Sequence, residues 1–399
     1  MVSGYKQTDI GLIPLDWEVK KLGAVTDVIG GGTPSTSIKE YWNGNINWFT
    51  PTEISEIKYS YSSKRKITSL GLNNSSARML PIGTILLTSR AGIGDLSILG
   101  TESSTNQGFQ SLVTKKEINN EFLYYLMKTK KNVLLEYASG STFLEISPKN
   151  LKSIQIPLPP LPEQEAIAEV LSDTDTLITA LEKRIAKKRN MKQGSMQKLL
   201  SPKDDWEVKK LGKIAEIRKG SALSKNKLSD NGKYSCLLYG ELFTTYKEVI
   251  NRVVSKTNYE EGIKSKYGDI LFPGSTTTSG IDLAKASALL FKNILLGGDI
   301  IIVRNQIGYN SEFVSYFLNQ INRNEIAKKT KGITIHHLYG NDLKDIEIAL
   351  PSKPEQIRIA TILSDMDSEI DALEKKLSKT KELKQGLMQQ LLTGKIRLA

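Results

Sequence analysis

Leu161-Pro162-Glu163-Gln164 opens a stretch that runs to Met196-Gln197-Lys198-Leu199-Leu200, and the same stretch returns 192 residues later. There it begins Lys353-Pro354-Glu355-Gln356 and ends Met388-Gln389-Gln390-Leu391-Leu392, with Leu171-Ser172-Asp173 answered by Leu363-Ser364-Asp365 and no gap between. A second repeat precedes it. Asp16-Trp17-Glu18-Val19-Lys20-Lys21-Leu22-Gly23 recurs unchanged as Asp205-Trp206-Glu207-Val208-Lys209-Lys210-Leu211-Gly212. Internal repeats fix the architecture before any local reading. The order is globule, helix, globule, helix: residues 1–160, 161–201, 202–352 and 353–399.

Both long repeats read as helices. Pro162 and Pro354 sit in the first turn, where proline is tolerated, and Glu163, Glu165 and Glu355 place acid against the positive helix end. In the second copy Ile359, Leu363, Met366, Ile370, Leu373, Leu377, Thr380, Leu383, Leu387 and Leu391 step by three and four, the seam of a coiled coil. The first copy keeps Ile167, Leu171, Ile178, Leu181, Ile185, Met191 and Leu199 and weakens at Thr174, Lys188 and Ser195. Each helix should span about 55–60 Å. Acids fill the first half of each helix and bases the second, so an antiparallel pair sets opposite charges together where a parallel pair would oppose like charges. The expectation is an α+β chain of two pseudo-symmetric globules at the ends of a rod made by an antiparallel coiled coil. Such a rod could hold two readers at the 34–36 Å spacing of half-sites one DNA turn apart.

The chain of 399 residues carries a net charge of +12. Each helical repeat is close to +1, so about +10 lies in the globules, the footprint of a phosphate binder. A single cysteine, Cys236, excludes an internal disulfide and fits a reducing cytoplasm. No apolar run is long enough for a membrane span.

Alternation at Ile154, Ile156 and Leu158, and at Ile346, Ile348 and Leu350, predicts a closing strand in each globule. Phe122–Met127 and Phe313–Leu318 read as short buried helices, and Trp17 and Trp206 as core anchors. Between these anchors the globules diverge, as two different recognition surfaces on one frame would. Turn-rich loops of Ser, Thr, Asn, Gln and Arg supply side chains that reach phosphates and base edges. The candidates in the first globule are Thr33, Ser35, Trp48, Thr50, Thr52, Ser89, Arg90, Asn106 and Gln107. In the second they are Arg218, Lys219, Ser221, Lys225, Tyr239, Ser275, Thr276, Thr277 and Lys331.

Catalytic and cofactor signatures are missing. Gly30-Gly31-Gly32 has no Gly-Lys-Ser/Thr behind it and is no P-loop. The only histidines, His336 and His337, are adjacent and have one cysteine to pair with, so neither a metal cluster nor a Cys–His nucleophile is indicated. Glu18-Val19-Lys20 and Glu207-Val208-Lys209 read as strand edges rather than nuclease sites.

The plan resembles the specificity subunit of a Type I restriction–modification enzyme. The opening Tyr5-Lys6-Gln7-Thr8-Asp9-Ile10-Gly11-Leu12-Ile13-Pro14, the Trp17 element and the joint Leu158-Pro159-Pro160-Leu161-Pro162-Glu163-Gln164 carry the likeness. So do Ser89-Arg90-Ala91-Gly92-Ile93-Gly94, Asn106-Gln107-Gly108-Phe109 and the Leu-Met-Gln-Gln-Leu-Leu-Thr-Gly-Lys run at 387–395. The second globule lacks the Ser-Arg-Ala and Asn-Gln-Gly-Phe segments. The resemblance implies that each globule is a target recognition domain for one half of a bipartite double-stranded DNA site with a fixed unread spacer. It implies that the helices act as ruler and as dock for two methyltransferase (M) subunits, with up to two restriction/motor (R) subunits joining in the cytoplasm. The complex would use S-adenosylmethionine, ATP and Mg2+, none of them bound by this non-catalytic chain. The alternatives are a free-standing DNA-binding regulator, a coiled-coil scaffold with no DNA role, and the recognition subunit of a fused methylase–nuclease system.

Overall fold

A computed structural model describes residues 4–54, 58–90, 92–140, 144–221 and 223–398. The chain forms two compact units: Met1–Glu182 with Lys376–Ala399, and Lys183–Lys375. The long helices run Leu161–Leu199 and Lys353–Leu391, 39 residues each, and each unit takes half of both.

In the first unit, strand Glu18–Lys21 pairs antiparallel with Gln155–Leu158. A five-stranded sheet has the order Thr26–Gly30, Gln110–Thr114, Ile85–Leu87, Leu96–Leu99, Tyr59–Ser60, parallel only at its last pair. Trp42–Phe49 lies between Ser103–Thr105, in parallel, and Arg65–Ile67, antiparallel, in a smaller sheet. The second unit repeats this plan. Glu207–Lys210 pairs with Glu347–Leu350. The five strands are Ala215–Lys219, Ile300–Asn305, Asp269–Pro273, Ser287–Leu289 and Val249–Ile250, again with a parallel last pair. Tyr234–Leu237 lies between Leu295–Leu296 and Lys256–Thr257. The repeat therefore extends through the sheets, where sequence comparison found only divergence. A strand needs a pattern of burial more than particular residues, so the pairing order outlasts the sequence likeness.

The segments that do repeat in sequence make specific polar locks. Asn119 and Asn310 cap the helices Asn120–Thr129 and Ser311–Gln320 by accepting from the backbone N–H of Phe122 and Phe313. The side-chain carbonyls of Gln164 and Gln356 accept from the backbone N–H of those caps at 2.9 and 2.8 Å, and their amides donate to Pro159 and Pro351 carbonyls at 2.8 Å. This is why Pro-Glu-Gln recurs: a buried amide joins the long helix to the short one, and a buried polar group must be satisfied. Trp17 is fully buried and its Nε1 donates to Glu163 at 2.9 Å. Trp206, 5% exposed, instead packs edge-on against Phe313.

The helices are antiparallel, as the charge halves predict. In the first unit Asp175 meets Lys384 at 2.5 Å and Glu182 meets Lys381 at 2.7 Å. In the second, Lys192 meets Asp367 and Lys188 meets Glu369, both at 2.7 Å, and Arg189 meets Glu374 at 2.6 Å. The seam differs from the expectation in three places. Leu383 and Met191 are 59% and 45% exposed, and Met196, not among the expected seam positions, is 6% exposed, while Thr380 is buried as expected. Lys188 and Lys192 stand on it as ion-paired residues. Lys188 is thus engaged within the helix pair. Charge complementarity holds each unit's half of the pair, with Leu181 buried in the first unit and Ile185, Ile370 and Leu373 buried in the second.

Tyr125 and Tyr316 tie this pair to their globules by donating to Asp175 and Asp367 at 2.7 Å. Burial and the neighbouring carboxylate hold both phenols protonated, with pKa values raised well above the ordinary range. Asp175→Ala strands the Lys384 ammonium and the Tyr125 hydroxyl together. We expect a loss of about 2 kcal/mol and a melting temperature about 4–8 °C lower by calorimetry. A loss no larger than that of Glu182→Ala, which breaks an exposed pair, would show that the part-buried cluster adds nothing beyond surface charge.

Candidate nucleic-acid interface

Four loops of the first unit are drawn together by backbone bonds at the ends of strands. Gly32 N–H donates to Thr105 O at 2.9 Å, Asn106 N–H to Phe49 O at 3.0 Å, and Ser89 N–H to Gly108 O at 2.8 Å. The approach is close enough to require glycine: a Cβ on Gly31 would lie 1.9 Å from the Asn106 carbonyl oxygen. On this platform Thr33, Ser35, Thr52 and Gln107 are exposed, and Thr50, Arg90 and Asn106 are partly so. The Thr33 hydroxyl donates to the Gln107 side-chain oxygen. Thr50 donates to Glu53 at 2.7 Å, and Asn106 Oδ1 accepts from Gly108 N–H at 2.9 Å, with no hydrogen bond from the Asn106 amide nitrogen among the described residues. Two candidates sit elsewhere. Trp48 is 3% exposed, with Nε1 donating to Gly32 O at 2.8 Å, and Ser89 is fully buried. Both shape the platform from beneath.

Sequence reading missed Arg65. It follows a turn and pairs across the strands with Trp48, and its guanidinium lies 3.7 Å from the centre of the Trp42 ring. Trp42 and Trp48 meet edge to face at 5.1 Å. A guanidinium over an aromatic face can still offer N–H groups to an anion. Trp42-Asn43-Gly44-Asn45-Ile46-Asn47-Trp48 carried the signal, since aromatic residues spaced along a strand call for a cation or a ring on the neighbouring one.

In the second unit Asp299 organises the candidates. It accepts from Ser275 Oγ at 2.9 Å and pairs with Lys219 at 3.3 Å. Gly220 closes against Gly297, where a Cβ would lie 1.9 Å from the carbonyl oxygen, and Ser221 Oγ accepts from Ile263 N–H at 2.9 Å. Ser275 and Thr276 pair antiparallel with His337 and His336, and Lys331 pairs with His337 on the other side. The first unit repeats that crossing with Arg90, Glu145 and Ser139. Arg218 is held by Glu216 at 2.5 Å and Lys331 by Asp342 at 3.1 Å. Thr277 is exposed beside this cluster. Lys225 lies in a separate single-turn helix, and Tyr239 packs edge-on against Phe243; no hydrogen bond or ion pair among the described residues ties either to Asp299. Ala91 and three residues of the run Gly140–Leu144, numbers 141–143, lie outside the described residues.

Burial pushes the Cys236 thiol up to about 11, so it is not a thiolate near neutrality. Among the described residues no three His, Cys, Asp or Glu side chains are placed to hold a metal. What both platforms offer is hydroxyls, amides and guanidinium or ammonium groups on rigid loops, the donors that contact phosphate and base edges.

Comparison with known proteins agrees. Residues 14–188 and 203–385 each match the family described as Type I restriction modification DNA specificity domain. The Type I restriction enzyme MjaIX specificity subunit of Methanocaldococcus jannaschii is 32% identical over 99% of this chain and 96% of its own length. The MjaVIII specificity subunit of the same organism is 27% identical over 97% and 94%. The crystal structure of the S subunit from M. genitalium superposes with a TM-score of 0.63 over 98% of this chain and 99% of that one, at 17% identity, which speaks for the fold. The chain, built from two copies of that domain and matched along almost its whole length, belongs to the specificity subunits of Type I restriction–modification systems.

Proposed function

We propose that each unit reads one half of a bipartite double-stranded DNA target around a spacer that neither reads, and that the chain thereby directs the methyltransferase and restriction subunits of a Type I complex. The observation that carries this reading is the repeated frame with unlike loops. Loops at the strand ends present Arg90, Asn106 and Gln107 in one unit and Thr276, Thr277 and Lys219 in the other, as two readers of different sequence should. The chain supplies no catalytic group in this scheme. S-adenosylmethionine, ATP and Mg2+ would act in the partner subunits, and the exposed faces of the long helices would dock two methyltransferase subunits and set the spacer.

Co-expression with a methyltransferase subunit, followed by mapping of adenine methylation in the host genome, tests the reading. A bipartite motif with a fixed spacer is the expected result. Tight, specific binding by the isolated chain with no methylation would establish a free-standing regulator instead. Arg90 gives a sharper test, because no carboxylate among the described residues pairs with its guanidinium. Arg90→Ala should cost about 1–3 kcal/mol of discrimination at one position and relax the motif in one half only. Equal loss in both halves would sink a base-reading role for it.

A further inference from the structure

Ile333 is 95% exposed, the most exposed large apolar side chain among the described residues, and Ile335 beside it is 48% exposed. No part of the second unit's core uses either. Yet the segment that carries them is tightly built. Lys331 and His337 exchange both backbone hydrogen bonds, at 2.9 and 2.7 Å. Gly332 turns the chain at φ +114°, and a Cβ there would lie 1.9 Å from the Ile335 carbonyl oxygen, so only glycine closes this loop. The other side of the same short strand pairs with Ser275 and Thr276. A rigid ribbon therefore holds a β-branched side chain, stiff about its first torsion, out into water beside the platform organised by Asp299.

We propose that Ile333 is a specificity-determining residue that packs on the C5-methyl group of a thymine in the major groove of the half-site read by the second unit. The inference rests on the reading of that unit as a DNA reader and adds to it a chemical contact. A two-stranded ribbon fits the major groove, and the thymine methyl is the apolar feature displayed on base-pair edges there. The surroundings suit a nucleic acid better than an apolar protein surface. Lys331, two residues before Ile333, is exposed, Thr276 pairs with His336 and is followed by exposed Thr277, and His336 and His337 are only half-buried. Such neighbours donate to phosphates and base edges while the isoleucine supplies the contact that hydrogen bonds cannot.

The experiment uses the full chain with its methyltransferase subunit and a duplex carrying the mapped motif. The half-site belonging to the second unit is the one that Arg90→Ala leaves unchanged. Each thymine in that half is replaced in turn by deoxyuridine, which removes only the methyl group. One replacement should weaken wild-type binding about three- to five-fold, the effect of a single buried methyl. Ile333→Ala should bind the thymine duplex more weakly by a similar factor and show no response to that replacement. The side chain is exposed, so the variant should fold and assemble as the parent does. Equal sensitivity of both proteins to deoxyuridine, or a second half-site with no T·A pair, overturns the proposal while leaving the bipartite reading intact. Loss of the methyltransferase subunit from Ile333→Ala would also overturn it, by making the tip a protein contact. Absence of any methylated motif defeats the functional reading itself.

Discussion

Asp269→Ala should be the most damaging single substitution in the second unit, lowering its stability by about 3–5 kcal/mol. Asp269 is 1% exposed and accepts from Arg304 through both oxygens, from Nε at 2.9 Å and from Nη2 at 2.7 Å. The same Nη2 donates to Lys264 O at 3.1 Å, and Asp269 Oδ2 also accepts from Lys266 N–H at 2.8 Å. The carboxylate thus joins neighbouring strands of the main sheet to the turn before them. Arg304 is 8% exposed, and its hydrogen bonds to Asp269 raise its pKa further, so it stays charged at every accessible pH. Removing the carboxylate leaves that cation buried without its partner, and the guanidinium cannot escape by losing a proton. For a unit of this size the expected fall in melting temperature is about 10 °C. Calorimetry should show it in the transition of the second unit. Asp269→Ala together with Arg304→Met should recover much of the loss, because an apolar side chain of similar length has no charge to desolvate. A single variant as stable as the parent would mean that water reaches the pair freely.

That pair also shows where sequence reading stops. Asp269 and Arg304 lie 35 positions apart on strands whose pairing nothing in the sequence announces, and a charged residue in a strand reads as solvent-facing by default. The long helices were legible because heptad spacing and charge halves repeat along 39 residues and reinforce each other. Their seam was misread at Met191 and Leu383 because an ammonium paired across the interface can replace an apolar side chain, and spacing rules reward only apolar ones. Trp17 and Trp206 were identified as core because each is the same aromatic in the same repeated frame. The loops are a different matter. Thr33, Gln107 and Arg90 are brought to one platform by backbone bonds between strand ends, and such bonds leave no mark on side-chain identity. From the sequence Trp48 reads as a candidate DNA contact. Burial beneath Gly32 makes it the support for Arg65 instead, a distinction that depends on which face of the strand is covered.

The C-terminal tail carries the other large effect. Gly394 turns the chain at φ +71° against Pro14 and Trp17, and its carbonyl accepts from the Tyr5 hydroxyl at 3.0 Å. Arg397 then reaches Glu163 through Nε at 2.6 Å and Nη2 at 2.8 Å, and Asp16 through Nη1 at 2.9 Å and Nη2 at 2.7 Å. Glu163 is 3% exposed and already accepts from Trp17. Arg397→Ala leaves this buried carboxylate without a cation, and we expect a loss of about 3 kcal/mol from the first unit at neutral pH. The dependence on pH has a definite sign. The Arg397 hydrogen bond holds Asp16 below its ordinary value of 3.8. A depressed carboxylate contributes stability above its unfolded value and loses it as pH falls through its folded one. The gap between variant and parent should therefore narrow below about pH 4. A double-mutant cycle with Glu163→Gln isolates the pair: Arg397→Ala should cost markedly less in that background, since no buried charge is left behind. If the two losses simply add, Arg397 acts through packing on Trp17, and the same cost should then appear in Arg397→Ala whatever the pH.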